Sequence, residues 1–281
     1  MTIGASVLDR VTGSDCREYL RIAQLLRPSL DVDALFQRAQ AATRYYRSGS
    51  SDRVLLRAQQ SLEARWYDSL THGEPDYSVY DDEFFISDLW ACWVVYSRNH
   101  LRALCSPHVL RRNGRTLRQL FTPRVQTIGD LGCGFGYTTA GLKELFPRAD
   151  VYGTNLQGTL QFEIAAQIGK NEQFGVSEHA RPATDLILAS EFFEHLESPI
   201  DYLEQIISTA KPKVFILANS FRAVSIGHFP HYKHQDALIA NTRISRLFNK
   251  MLRTNGYVML RTRFWNNRPT IWYHNSLKIM P

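Results

Sequence analysis

Two short stretches of this sequence hold residue types and spacings that could do chemistry. In Ile128-Gly129-Asp130-Leu131-Gly132-Cys133-Gly134-Phe135-Gly136-Tyr137, glycines alternate at Gly132, Gly134 and Gly136. Glycines so spaced let a backbone turn sharply and approach a ligand where a Cβ would collide. The carboxylate of Asp130, at the end of the apolar run before them, is placed to receive polar groups of that ligand. The segment therefore reads as a nucleotide-binding turn from a strand into a helix. A dinucleotide fingerprint wants its third glycine where Tyr137 stands, which disfavours a dehydrogenase.

The second stretch is Leu188-Ala189-Ser190-Glu191-Phe192-Phe193-Glu194-His195-Leu196. It follows an apolar run, and in an open parallel sheet the carboxyl ends of strands face the ligand crevice, so Ser190 and its successors should border a bound molecule. If these residues turn helically, Glu191, Glu194 and His195 fall at i, i+3 and i+4 and point to one side. Two carboxylates and an imidazole there could bind a divalent metal. The oxygen ligands suit magnesium or manganese, and the imidazole shifts the preference toward manganese, iron or zinc. The plainer alternative is a Glu-His pair that shapes the loop and caps the next helix. Downstream, Gly227-His228-Phe229-Pro230-His231-Tyr232-Lys233-His234 concentrates three histidines, readable as an exposed loop or as a phosphate-binding surface with Lys233.

The elements that must position these groups follow from the rhythm of the chain. From residue 15 to about 104 apolar residues recur three and four apart, predicting three or four helices, with caps at Asp31 and Ser51. Residues 77–104 carry an aromatic stripe, Tyr80, Phe84, Phe85, Trp90, Trp93 and Tyr96, expected to pack against the following domain, with a lid over the site as the alternative. After Thr116, β-branched runs alternate with helical stretches, the pattern of a parallel sheet with crossover helices. Strands are predicted at 125–131, 150–155, 185–190 and 214–218, with a weakly marked one near 174–177, and helices at 138–146, 159–168, 199–210 and 236–254. Residues 257–265 and 270–274 alternate like strands, and the short connection between them forces an antiparallel hairpin. The organisation expected is a helical region over 1–115, serving as lid or substrate-recognition element, and an α/β domain over 116–281.

The order Asp-Leu-Gly-Cys-Gly-x-Gly resembles motif I of class I S-adenosylmethionine-dependent methyltransferases, and the resemblance spans roughly residues 119–272. It implies a Rossmann-like, seven-stranded, mostly parallel sheet with a terminal antiparallel hairpin, and S-adenosylmethionine held by Asp130, Gly132, Gly134, Gly136, Asn155 and Ser190. At Asn155 the sequence departs from the family, which usually places an acid there for the ribose hydroxyls; Asn155 can still accept one hydrogen bond, with help from Gln157. The Glu-x-x-Glu-His segment is similar to that of metal-dependent O-methyltransferases, among them the small-RNA 3′-end and ubiquinone-pathway enzymes. That similarity implies a catalytic and metal-binding set of Glu191, Glu194, His195 and a further histidine after the fifth strand, His231 or else His228. For an amine or carbon acceptor, His231 or Glu194 alone would serve as base.

Bulk properties narrow the readings. The chain has 281 residues, 44% of them hydrophobic and 21% charged, which is ordinary globular composition. No apolar run is long enough to span a bilayer, and the first ten residues show no secretion signal, so a cytoplasmic protein without a membrane partner is expected. Cys16, Cys92, Cys105 and Cys133 have no metal or redox spacing and read as free thiols. A net charge of +6 favours an anionic partner, although the cluster Arg111, Arg112, Arg115, Arg118 and Arg124 reads better as a solvated face. Three functions stay open: methylation of a nucleic acid or nucleotide, methylation of a small molecule in secondary or quinone metabolism, and a catalytically silent binding module. The oligomeric state is not legible.

Overall fold

The computed structural model describes residues 13–49, 52–106, 114–260, 262 and 269–277. The N-terminal part is helical: α1 (Gly13–Leu26), α2 (Val32–Ser48), α3 (Arg53–Thr71), a 3-10 turn (Tyr77–Asp81), then α4 (Glu83–Cys92), which continues through a π turn (Trp93–Ser97) into α5 (Arg98–Leu104). Asp31 caps α2 by accepting from the Ala34 amide, as its position suggests. The cap of α3 is Asp52, which accepts from Val54 and Leu55, whereas the expected cap Ser51 lies outside the described residues.

A short α6 (Leu117–Phe121), opened by a Thr116–Gln119 capping box, leads into the α/β part. There β1 (Thr127–Leu131), α7 (Tyr137–Leu145), β2 (Asp150–Thr154), α8 (Leu160–Glu172), β3 (Gly175–Ser177), β4 (Leu186–Ser190), α9 (Pro199–Thr209) and β5 (Val214–Ala218) alternate as the sequence predicts. The chain then forms a separate hairpin, β6 (His231–His234) with β7 (Ala237–Ala240), before α10 (Asn241–Thr254), β8 (Tyr257–Leu260) and β9 (Thr270–His274).

The seven-stranded sheet has the order β3-β2-β1-β4-β5-β9-β8. The first five strands are parallel, and β9 runs antiparallel to both β5 and β8. The reversed strand thus lies one place in from the edge, because β8 pairs outside it. The strand order reverses between β1 and β4. That is the switch point where the crossover loops part and leave a crevice, and it is where both motifs fall: Asp130 pairs with Gly153 and Leu188, and Ser190 with Ala218.

The helix expected over 236–254 is corrected in its first third. Residues 237–240 form β7, because Gln235 turns in the left-handed region (φ 52°) and the Asp201 carboxylate holds that turn through His234 Nδ1 (2.5 Å) and the Gln235 amide (3.3 Å). Of the terminal hairpin, residues 257–260 pair with 271–274 as expected, while 261 and 263–268 lie outside the described residues, as do Arg111 and Arg112.

The N-terminal helices and the sheet share a core. Leu20 of α1 and Trp90 of α4 belong to the same buried cluster as Ile164 and Ile168 of α8. The aromatic stripe divides: Phe84 and Trp90 are buried, and Trp90 and Trp93 close on Tyr137 at ring distances of 4.7 and 5.6 Å, as packing against the next domain requires. Tyr80, Phe85, Trp93 and Tyr96 also line a cavity between α4 and the sheet. No helix among the described residues is long and apolar enough to cross a membrane.

Candidate active site

The cavity holds about 1170 Å³ and opens over the carboxyl ends of β1, β2 and β4. Its floor is the glycine turn. Gly132, Gly134 and Gly136 all have positive φ (63°, 54° and 87°), which side-chain-bearing residues adopt only with strain. A Cβ on Gly132 would strike the Phe192 ring, while at Gly134 the nearest atom, Leu89 Cδ2, is 3.9 Å from the Cβ position, so that backbone borders open space. Asp130 is buried and accepts from Thr139 Oγ1 at 2.7 Å. Burial lifts its carboxyl to about 7, against a partial offset from Thr139.

Asn155, at the end of β2, uses both ends of its carboxamide on the protein. Nδ2 donates to Gly134 O at 3.0 Å, and Oδ1 accepts from the Leu156 amide at 2.9 Å. It therefore staples β2 to the glycine turn, and Oδ1 keeps one lone pair for a ligand. Beyond β3, Glu178 and His179 also line the cavity; the weak signal of that three-residue strand hid them.

The second motif is built differently from the expected helix. Glu191 sits in the left-handed region (φ 51°), its amide still bonded to Ala218 O at 2.7 Å, and Phe193–His195 form a 3-10 turn. The two glutamates nevertheless meet, because Ser220 after β5 ties both. Its amide makes a short hydrogen bond to Glu194 Oε1, and its hydroxyl donates to Glu191 Oε1 at 3.4 Å. Glu194 is fully buried, and its Oε2 has no hydrogen-bond partner, nor has the Ser190 hydroxyl. Burial, then repulsion from Glu191, raises the Glu194 pKa.

The histidine that joins them is His228; His231 does not. Ligand atoms of Glu191, Glu194 and His228 lie within 4.8 Å of one another. His231 is exposed on β6, whose hairpin serves instead as a brace: Tyr232 Oη donates to Glu194 O at 3.3 Å and the Lys233 amide to Glu197 O at 2.7 Å. His228 Nδ1 sits 3.0 Å from Ala223 O, an arrangement that puts the proton on Nδ1 and leaves the Nε2 lone pair bare. His195 packs ring to ring on His228 at 4.8 Å, and its Nδ1 is 3.0 Å from Tyr80 Oη. Burial and His228 hold His195 neutral, its pKa lowered to about 3. Gly227 (φ 80°) makes this approach possible, since a Cβ there would overlap Tyr80 Oη and His195 Nδ1. Tyr80 comes from the aromatic stripe, whereas Trp66 and Ser220 carry no motif in the sequence and emerge only from the fold.

A family model described as a methyltransferase domain matches residues 100–262, more than half of the chain. The chain belongs to this family of class I S-adenosylmethionine-dependent methyltransferases. No curated protein matches the sequence of this methyltransferase. Among solved structures, it is similar to the mitomycin 7-O-methyltransferase MmcR (12% identity, TM-score 0.48, covering 95% of this chain and 73% of that one). It is also similar to an O-methyltransferase from a trans-AT PKS multienzyme of Brevibacillus brevis in complex with S-adenosyl-L-homocysteine (17%, 0.37, 51% of each chain). A third is an O-methyltransferase family protein from Burkholderia thailandensis (13%, 0.43, 66% and 58%).

The residues present fit the methyl donor. Left-handed glycines open a cradle at Gly134, an unpartnered Ser190 hydroxyl waits at the end of β4, and a buried carboxylate, Asp130, lies beneath. Asn155 Oδ1 keeps one acceptor lone pair beside the glycine turn, where a carboxylate would offer two charged oxygens.

Proposed function

We propose that this methyltransferase transfers the methyl group to a hydroxyl of a compact, largely aromatic acceptor, assisted by a divalent metal held by Glu191, Glu194 and His228. The observation that carries the reading is the convergence of those three ligand atoms within 4.8 Å around a buried carboxylate oxygen, Glu194 Oε2, that lacks a partner. Two carboxylates and a neutral imidazole suit magnesium, manganese, iron or zinc. A metal there would lower the pKa of an acceptor hydroxyl.

The chain's own residues do the rest by positioning. Asp130, the Gly132–Gly134–Gly136 turn, Asn155 and Ser190 hold the donor, with Glu178 and His179 near its nucleoside end. Ser220 orients both glutamates, Ala223 O fixes the tautomer of His228, and Tyr80 fixes His195. Alignment of donor and acceptor supplies most of the rate in such transfers. Phe85, Trp93 and Tyr96 of the helical region wall the acceptor side, which fits the lid role expected for 1–115.

A small acceptor is favoured over a nucleic acid because no Lys or Arg is among the described residues that line the cavity, whereas six carboxylates are. The test is methyl transfer to a panel of phenols and catechols before and after dialysis against a chelator, with bound metal measured by mass spectrometry. Chelation should cut the rate more than tenfold, manganese or magnesium should restore it, and Glu194→Gln should release the metal. Full activity in chelator would rule the metal out and leave a carboxyl or imidazole base.

A further inference from the structure

Of the six carboxylates on the cavity wall, the roles above use Asp130, Glu178 and Glu191, and Asp81 and Glu197 pair with Arg27 and Lys233. Asp88 is left over. It projects from α4 into the cavity and keeps accessible surface there, although it lies deep between α2 and α4.

Its partners are neutral donors. Tyr46 Oη donates to Asp88 Oδ2 at 3.1 Å, and Cys92 Sγ approaches the same oxygen at 3.9 Å. Among the described residues no cation pairs with this carboxylate, and no donor reaches Oδ1. Burial lifts the Asp88 carboxyl to about 6, and burial together with Asp88 keeps the Tyr46 phenol protonated as a donor. A carboxylate withdrawn from water without a counter-charge destabilises the fold, unless something else brings the charge.

The surroundings match a cation carried on an apolar body. Tyr46 meets Tyr96 edge to face at 5.9 Å, and the π turn at Trp93–Ser97 widens the helix where Trp93 and Tyr96 reach the cavity. Such π turns recur at functional sites, and aromatic faces attract ammonium groups. Asp88, Cys92 and Tyr96, on successive turns, line the same cavity as Glu191. The proposed reaction centre and the Asp88 wall therefore border one space.

From this juxtaposition we infer that Asp88, with Tyr46 and Tyr96, is a recognition subsite for a protonated amine on the acceptor, which anchors the far end of a molecule whose hydroxyl lies at the Glu191–Glu194–His228 cluster. The inference rests on the small-acceptor reading but not on the metal. It makes Asp88 a specificity-determining residue and the acceptor an amine-bearing phenol or similar cationic aromatic.

A charge series tests it. Tyramine, 4-ethylphenol and 3-(4-hydroxyphenyl)propionate share a phenol and differ in carrying a positive, no or a negative charge. Each is titrated by calorimetry into the full chain saturated with S-adenosylhomocysteine. Tyramine should bind at least tenfold more tightly than 4-ethylphenol, and the propionate more weakly than either. In Asp88→Asn the gap between tyramine and 4-ethylphenol should shrink to less than twofold, with S-adenosylhomocysteine affinity as in the parent. Equal binding of tyramine and 4-ethylphenol, or a preference that survives in Asp88→Asn, would overturn the inference. Should the variant fail to fold, the order in the parent decides. Repeating the series in chelator separates the two readings: a preserved tyramine preference with full methyl transfer sinks the metal and spares Asp88, whereas no preference with chelator-sensitive transfer does the reverse.

Discussion

Gly134 stands where the turn between β1 and α7 borders the cavity, with φ 54° and only Leu89 within 4 Å of a would-be Cβ. Gly134→Ala should therefore cost about 1–2 kcal/mol of stability through backbone strain, and Gly134→Arg should abolish S-adenosylmethionine binding by filling the cradle; urea melts check the first and calorimetric titration the second. Asp130 gives a pH signature. Its carboxyl titrates near 7 in the fold against 3.8 outside it, so between those values the folded state binds the extra proton and stability falls as pH rises. Asp130→Asn should gain stability relative to the parent from about pH 4 to pH 7 and level off above; urea melts at several pH values measure the difference, and a pH-independent gap would contradict the burial of the charge. At this scale the sequence was informative where partners are neighbours in the chain: Glu191 and Glu194 meet as their spacing suggests, though through a 3-10 turn. It could not choose between His228 and His231, three residues apart, because that choice depends on the path of residues 219–230 over Tyr80 and Trp66.

Elements far apart in the chain brace the reaction centre. Trp66 of α3 is fully buried and donates from Nε1 to His228 O at 2.7 Å, so a helix of the N-terminal region holds the loop that bears a proposed metal ligand. Trp66→Phe removes that donor and leaves a carbonyl poorly satisfied, which should cost about 1–3 kcal/mol of stability. Methyl-transfer rate should fall along with metal affinity while S-adenosylhomocysteine affinity holds, since the rings that Trp66 packs on are Tyr77, Tyr80 and Phe229, none of them in the glycine turn; loss of both affinities together would mean general unfolding. The parallel strands were legible because runs such as Val214–Ala218 are buried along their whole length and so are continuously apolar. The β6–β7 hairpin was not. Ala237-Leu238-Ile239-Ala240 leads without glycine or proline into an amphipathic helix, and the turn that folds this strand back on β6 is held by Asp201, more than thirty residues earlier.

The whole molecule separates two charge distributions that the sum conceals. The formal charge is +6, yet the described wall of the cavity carries carboxylates and histidines without a single Lys or Arg. Composition suggested an anionic acceptor because net charge has no address; only the fold shows that the basic residues lie elsewhere. A basic exterior can hold RNA or DNA loosely through counterion release, with affinity falling steeply as salt rises. Such binding would leave the acid-walled cavity untouched. RNA oligonucleotides added at physiological salt should therefore leave the rate and KM of methyl transfer to a small phenolic acceptor unchanged within a factor of two, even where a mobility shift shows association at low salt. Competitive inhibition by RNA, persisting at physiological salt, would mean that polynucleotide enters the same space, and the small-acceptor reading would give way to the one that net charge alone suggests.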